Sequence, residues 1–219
     1  MTKRQTALLI SGTGTNMQAL INAAKADDYP AEICLVVSNR PKAKGIEIAR
    51  QHNIPVEVID HTRYESRDEF DAALDGALKN VHAELVCNAG FKRLLGKDFV
   101  QNWHNRQLNI HPSLLPAFKG LHTHERALAK DVKITGCSVH FVRHDMDSGP
   151  IIAQAAVPIL PGDTAEGLGQ RVLSAEHKLY PQALAWVASG AVRVVGEKVI
   201  FQDDFTANET LFAPPLGAR

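Results

Sequence analysis

The feature that most restricts what this chain can fold into is the character of its apolar runs. Segments 7–10, 33–37, 56–59, 85–89 and 107–110 are short runs of β-favouring residues without a strict apolar–polar alternation. Strands of that kind have both faces covered, which is the condition of a parallel sheet packed between helices. Amphipathic stretches at 16–26, 43–52, 67–80 and 97–104 separate them. The alternation predicts an α/β fold with a single doubly wound, mostly parallel sheet and helices on both faces. The 67–80 helix is the clearest. Phe70, Leu74, Ala77 and Leu78 form one stripe, and Asp68, Glu69 and Asp71 sit near its start, where the helix dipole favours acid.

After residue 110 the pattern changes. Segment 111–124 holds two prolines, one glycine and three histidines, too many breakers for a regular element, and is expected to be a functional loop. Segments 134–142 and 151–157 read as strands on either side of 144–149 and predict a C-terminal antiparallel extension of the sheet. Asp163-Thr164 caps a long helix running toward Val187, in which Pro181 is expected to introduce a break or kink. Segments 192–195 and 199–202, joined by Gly196-Glu197-Lys198, predict a short hairpin. A chain of 219 residues fits one large domain, placed at 1–203, with 204–219 expected to be a poorly ordered tail.

Composition removes several classes of partner. Lys plus Arg and Asp plus Glu both number 24, so no net charge draws the chain to nucleic acid or an anionic membrane. Cys34, Cys87 and Cys137 lie far apart in apolar runs and fit neither a CxxC motif nor a disulfide framework; buried free thiols in a reducing compartment are expected. The apolar run at 7–10 is too short for a signal-peptide core, and no window has the length of a membrane span. The expectation is a cytoplasmic protein.

Three stretches carry chemistry. The first strand runs into Ser11-Gly12-Thr13-Gly14-Thr15-Asn16 and then a helix, a geometry in which close backbone approach and free N–H groups suit a phosphate. The same residues also suit a tight turn capped by Thr15 or Asn16. Met17 replaces the third glycine of GxGxxG, and no GxxxxGK[ST] occurs, so a nicotinamide or P-loop nucleotide is not indicated. Asn109 and His111, two apart at a strand end, share one face and could pair an oxyanion donor with a proton donor; a strand-end histidine can equally be a structural hydrogen bonder. Asp145 and Asp147 precede Gly149-Pro150, and a carboxylate in reach of an imidazole favours the imidazolium. His122-Thr123-His124-Glu125 lacks the spacing of HExxH, so no metal is expected. No covalent nucleophile is evident, so the nucleophile should come from substrate.

Together, Asn109-Ile110-His111-Pro112-Ser113-Leu114-Leu115-Pro116, Gly120-Leu121-His122-Thr123-His124, Ser138-Val139-His140-Phe141-Val142 and Asp147-Ser148-Gly149-Pro150 resemble the phosphoribosylglycinamide formyltransferases of de novo purine synthesis. The resemblance runs from about residue 8 to about 186. It implies a formyltransferase-like sheet and two substrates, glycinamide ribonucleotide and 10-formyltetrahydrofolate as formyl donor, with homodimer formation left open. It implies catalytic roles for Asn109, His111 and Asp147. Gly14, Thr15, Asn16 and Met17, with Leu173, Ser174, Ala175 and Glu176, would hold the ribonucleotide. Arg67, Lys92, Arg93, Leu94 and Leu95, with Arg143, His144, Asp145, Met146 and Asp147, would hold the folate. Thr13, Lys92 and Cys137 depart from the residues common in that family. A formyltetrahydrofolate hydrolase and a noncatalytic nucleotide-binding module are the alternative readings.

Overall fold

The structure, a computed structural model, describes residues 2–204 and 210–213. Most of the tail expected over 204–219 therefore lies outside the described residues. Five parallel strands, β1 (Arg4–Ile10), β2 (Ala31–Ser38), β3 (Val56–Val58), β4 (Leu85–Asn88) and β5 (Gln107–His111), are joined by antiparallel β6 (Ile134–Phe141) and β7 (Ile151–Pro158). Their order is β3-β2-β1-β4-β5-β6-β7. The chain winds outward from β1 to β3, then returns to place β4 and β5 on the other side. The order reverses between β1 and β4, and such a switch point opens a crevice at the carboxyl ends of the strands.

The two faces of β1 show why its run is apolar throughout. Leu8 and Ile10 pack with Met17 and Leu20 of α1 (Thr15–Ala24), Ile46 of α2 (Gly45–Gln51) and Val172 and Leu184 of α6 (Ala165–Ser189). Ala7 and Leu9 point the other way, to Phe70 and Leu74 of α3 (Arg67–Asn80) and Phe99 of α4 (Lys97–Asn102). Burying each such leucine or isoleucine is worth about 1.5–3 kcal/mol, so an unbroken apolar strand is favoured only where both faces are covered. At the start of α3 the Ser66 hydroxyl accepts from the Glu69 N–H at 3.2 Å, and the Glu69 carboxylate reaches back to the Glu65 N–H at 3.1 Å. At the head of α6, the Thr164 side chain accepts from the Gly167 N–H at 3.1 Å.

Three expectations need correction. α6 runs unbroken for 25 residues through Pro181. The proline removes one helical hydrogen bond, while its neighbours Tyr180, Ala183 and Leu184 are wholly buried against the sheet and hold the helix together. A short helix, α5 (Thr123–Ala129), begins inside the end of the segment read as loop and packs on α6. Its N-cap, His122, is left-handed (φ 56), which helical periodicity does not reveal. The hairpin has its first strand, β8 (Val192–Val195), where expected, but its second, β9 (Lys198–Phe201), starts one residue early because a two-residue turn with Gly196 at φ 61 closes it. Among the described residues, no helix is long and apolar enough to cross a membrane.

Where β6 meets β7 the backbones approach so closely that a Cβ at Gly136 would lie 1.8 Å from the Ala155 carbonyl oxygen and 3.0 Å from Leu114 Cδ2. Neither backbone can yield without parting the strands. Gly136→Ala is expected to destabilise the fold by more than about 2 kcal/mol in urea denaturation. Stability equal to that of the parent would show that the two strands are less tightly paired.

Candidate active site

At the crevice, β1 ends in Ser11, whose hydroxyl donates to Asn39 Oδ1 at 2.7 Å and accepts the Lys92 N–H at 2.7 Å. One side chain thus ties together the loops that follow β1, β2 and β4. Gly14 is the N-cap of α1, in the left-handed region at φ 77 and with no side-chain cap. A Cβ there would come within 2.8 Å of the Gly45 Cα, so both conformation and space require glycine. Neither Thr15 nor Asn16 caps the turn, contrary to one of the two sequence readings. Asn16 turns instead toward α6 and donates to Glu176 Oε2 at 2.7 Å, leaving its own Oδ1 buried without a partner.

That bond unites the two stretches expected to meet, residues 14–17 and 173–176. Burial of Glu176 pushes its carboxyl above the usual range, against the opposing effect of the Asn16 amide. Leu173 and Ala175 are half-buried beside it, and the exposed Ser174 hydroxyl donates to the Gln170 carbonyl at 3.0 Å. Met17 has no exposed surface, so its side chain belongs to the core rather than to a ligand.

The second half of the site stands on β5. Asn109 and His111 project to one face, and the loop after β6 brings Asp147 over them. His111 Nδ1 lies 3.3 Å from Asp147 Oδ2, and its Nε2 lies 3.0 Å from the Phe118 carbonyl oxygen. Both neighbours are acceptors, so each N–H the ring carries has a partner. Asp147, itself left-handed at φ 50, also accepts the Gly120 N–H at 2.9 Å. Asp145 is exposed and is not the carboxylate that reaches the ring. The loop under His111 is anchored from the extension: Ser138 Oγ donates to the Ser113 carbonyl at 2.7 Å, and Gln154 donates to the Leu115 carbonyl at 2.9 Å.

His140 is the residue that sequence reasoning missed. It faces Asn109 across the β5–β6 ladder and is 2% exposed. Its Nδ1 lies 2.9 Å from the Phe141 carbonyl, which can only accept, so the proton sits on Nδ1. Nε2 then accepts from Asn109 Nδ2 at 3.2 Å, which orients the amide and leaves its second N–H free to donate. Burial pushes the His140 pKa below the ordinary value for histidine. A neutral ring does not compete as a cation for Asp147, whose Oδ1 is 3.8 Å away. The available signal was a lone polar ring in the apolar run 138–142.

The other expected residues lie around this edge. Lys92 and Leu94 are exposed, Leu95 is buried, and the Arg93 guanidinium stacks 4.7 Å from the Phe70 ring. Arg67 is exposed at the start of α3, and His144 and Met146 are exposed on the loop leading to Asp147. Arg143 is already engaged: it donates to Asn105 Oδ1 at 2.8 Å, Glu197 Oε2 at 3.0 Å and the Val142 carbonyl at 3.1 Å, so its backbone rather than its guanidinium is offered to a ligand. His124 packs against Gly169 of α6, and burial lowers its pKa. Among the described residues, no group of three or more His, Cys, Asp or Glu side chains is arranged to hold a metal ion. Burial pushes the Cys87 and Cys137 thiols up to about 12 and Cys34 up to about 11, which keeps all three protonated.

Comparison with known proteins agrees with this geometry. The formyl transferase family matches residues 4–184. The chain is 53% identical, over 88% of its length, to the trifunctional purine biosynthetic protein adenosine-3 of Gallus gallus, of which it spans only 19%. It is 40% identical to the phosphoribosylglycinamide formyltransferase of Escherichia coli (strain K12), covering 85% of this chain and 88% of that one. The crystal structure of glycinamide ribonucleotide transformylase 1 from Symbiobacterium toebii superposes with a TM-score of 0.90 at 44% identity, covering 92% of this chain and 95% of that chain. The chain belongs to the formyl transferase family, on the branch of the phosphoribosylglycinamide formyltransferases.

Proposed function

We propose that this chain transfers the formyl group of 10-formyltetrahydrofolate to the primary amine of glycinamide ribonucleotide, in de novo purine synthesis. The observation that carries the reading is the convergence of Asn109, His111 and Asp147 at the same sheet edge as the Gly14 turn, in a chain of this family. The ribonucleotide phosphate is expected against the Gly14–Met17 end of α1, where backbone N–H groups and the helix dipole favour an anion. The orphaned Asn16 Oδ1 and the Glu176 carboxyl are acceptors suited to ribose hydroxyls, with Leu173 to Ala175 completing that wall. The folate takes the other side, between Arg67 and residues 92–95 and the 143–147 loop, where exposed Leu94 and Met146 offer apolar contact.

The amine nitrogen attacks the formyl carbon, and the carbonyl oxygen becomes an oxyanion that the free Asn109 N–H and an N–H of His111 stabilise. The C–N bond to the folate then breaks; the folate nitrogen leaves with a proton as the attacking nitrogen loses one, giving the formamide and tetrahydrofolate. Asp147 holds the His111 ring in place. For Nε2 of His111 to reach the substrate, the Phe118 carbonyl must release it.

The direct test mixes the protein with both substrates and follows loss of the formyl-folate by absorbance. Consumption should require the ribonucleotide; consumption without it would indicate a hydrolase. An oxyanion donor is worth about 3–4 kcal/mol, so His111→Ala should lower kcat roughly 100-fold or more, and Asp147→Ala, which frees the ring, should cost about as much. Undiminished turnover in either purified variant would remove its assigned role.

A second expectation concerns pH. The folded pKa of His140 is depressed, so the unfolded chain takes up that proton first. Its contribution to stability is present above the unfolded value of ~6.5 and is lost as pH falls toward the folded one, at up to ~1.4 kcal/mol per pH unit. Urea-denaturation stability should therefore fall as the pH drops below about 6.5, and His140→Gln should make that fall shallower. An unchanged slope in the variant would show that His140 is not held neutral in the fold.

A further inference from the structure

Asp71 is a carboxylate on the buried face of α3. It is 6% exposed, adjacent to Phe70 and one turn before Leu74, both wholly buried, whereas Asp68 and Glu69 on the same helix face solvent. A carboxylate in such a place is costly unless it is held by other groups. Its Oδ2 accepts the Gly96 N–H at 2.6 Å, and its Oδ1 has no hydrogen-bond partner. Gly96 is the N-cap of α4 and ends the segment 92–95 on the folate side of the site. A Cβ at Gly96 would lie 2.9 Å from Asp71 Oδ2, so segment and carboxylate are fitted to one another.

A second orphan lies on that segment. Arg93 has its Nε buried without a partner while its guanidinium stacks over Phe70, the neighbour of Asp71 in α3. Burial pushes the Asp71 carboxyl above the usual range, against the Gly96 N–H and, more weakly, the guanidinium groups of Arg93 and Arg67. One acid thus grips the end of a segment whose arginine stacks on the neighbouring ring.

We infer that Asp71 is a positioning residue for the formyl donor. Its hydrogen bond to Gly96 sets the path of 92–95 and with it the place of Arg93 over Phe70 at the folate side of the crevice. It touches neither the transferred group nor the ribonucleotide side. A leucine at this position would pack well with Leu74 and Leu78 but would leave the segment untied. The inference rests on the proposed function, because it assigns Asp71 to one of that reaction's two substrates.

The test is steady-state kinetics on purified Asp71→Ala and Asp71→Asn, with melting temperatures recorded. Asp71→Ala should raise KM for 10-formyltetrahydrofolate by about tenfold or more, with kcat and KM for glycinamide ribonucleotide within about threefold of the parent. Asp71→Asn keeps an acceptor for the Gly96 N–H without the charge and should fall between the two. Gly96→Ala, which displaces the carboxylate from the other side, should reproduce the donor-specific effect and carries the test if Asp71→Ala does not fold. A folded Asp71→Ala with unchanged donor KM overturns the inference, as does a loss shared equally by both substrates. Tetrahydrofolate binding by calorimetry separates the two levels. A parent protein that neither binds nor consumes folate overturns the proposed function and this inference together; a fully active parent with indifferent variants overturns the role of Asp71 alone.

Discussion

The register between β5 and β6 pairs Asn109 with His140 and His111 with Ser138, so β6 ends opposite Leu108, and the loop to β7, which begins opposite His140, folds back over the strands far enough for Asp147 to lie against both histidines. That return is what carries Asp147 to His111, 36 positions earlier in the chain. The antiparallel ladder also supplies the supports. Ser138, paired with His111, holds the 113–115 backbone, and His140, paired with Asn109, sets the amide.

Burial then decides the charge of what surrounds the pair. His140, between Asn109 and Asp147, is depressed toward neutrality, and the Glu176 carboxyl is raised by the same desolvation on the other side of the crevice. The polar groups of the site are fixed by hydrogen bonds rather than by a dense set of opposite charges. Dipoles already aimed at a developing oxyanion need little reorganisation during reaction. The left-handed residues Phe118, Gly120, His122 and Asp147 crowd the loops nearest the reacting centre. Irregular backbone there is what lets a carbonyl, an N–H and a carboxylate converge on one ring.

The parallel sheet, the order of its helices and the antiparallel extension were legible because each depends on a local pattern: apolar runs, stripe spacing and turn residues. The cap at Thr164 follows from the same local chemistry. α5 escaped because prolines and histidines masked seven helical residues stabilised by packing on α6. Pro181 does not break α6 because one lost backbone bond is outweighed by the burial of Tyr180, Ala183 and Leu184. Of the site, Asn109 and His111 were legible from i, i+2 geometry. The choice of Asp147 over Asp145 came only through the family resemblance, and the part of His140 and the inward turn of Asp71 were not legible, since each depends on a residue far away in sequence.

By itself the sequence determined the class of fold and the chemical inventory: two-sided apolar strands demand a covered sheet, and the motifs around Asn109, His111 and Asp147 name a family. Only the tertiary structure decided which groups meet and in what state. Meeting is set by strand register and loop return over tens of residues, and protonation by the solvent that packing removes. Neither quantity is a property of a short stretch of chain, so neither can be written into one.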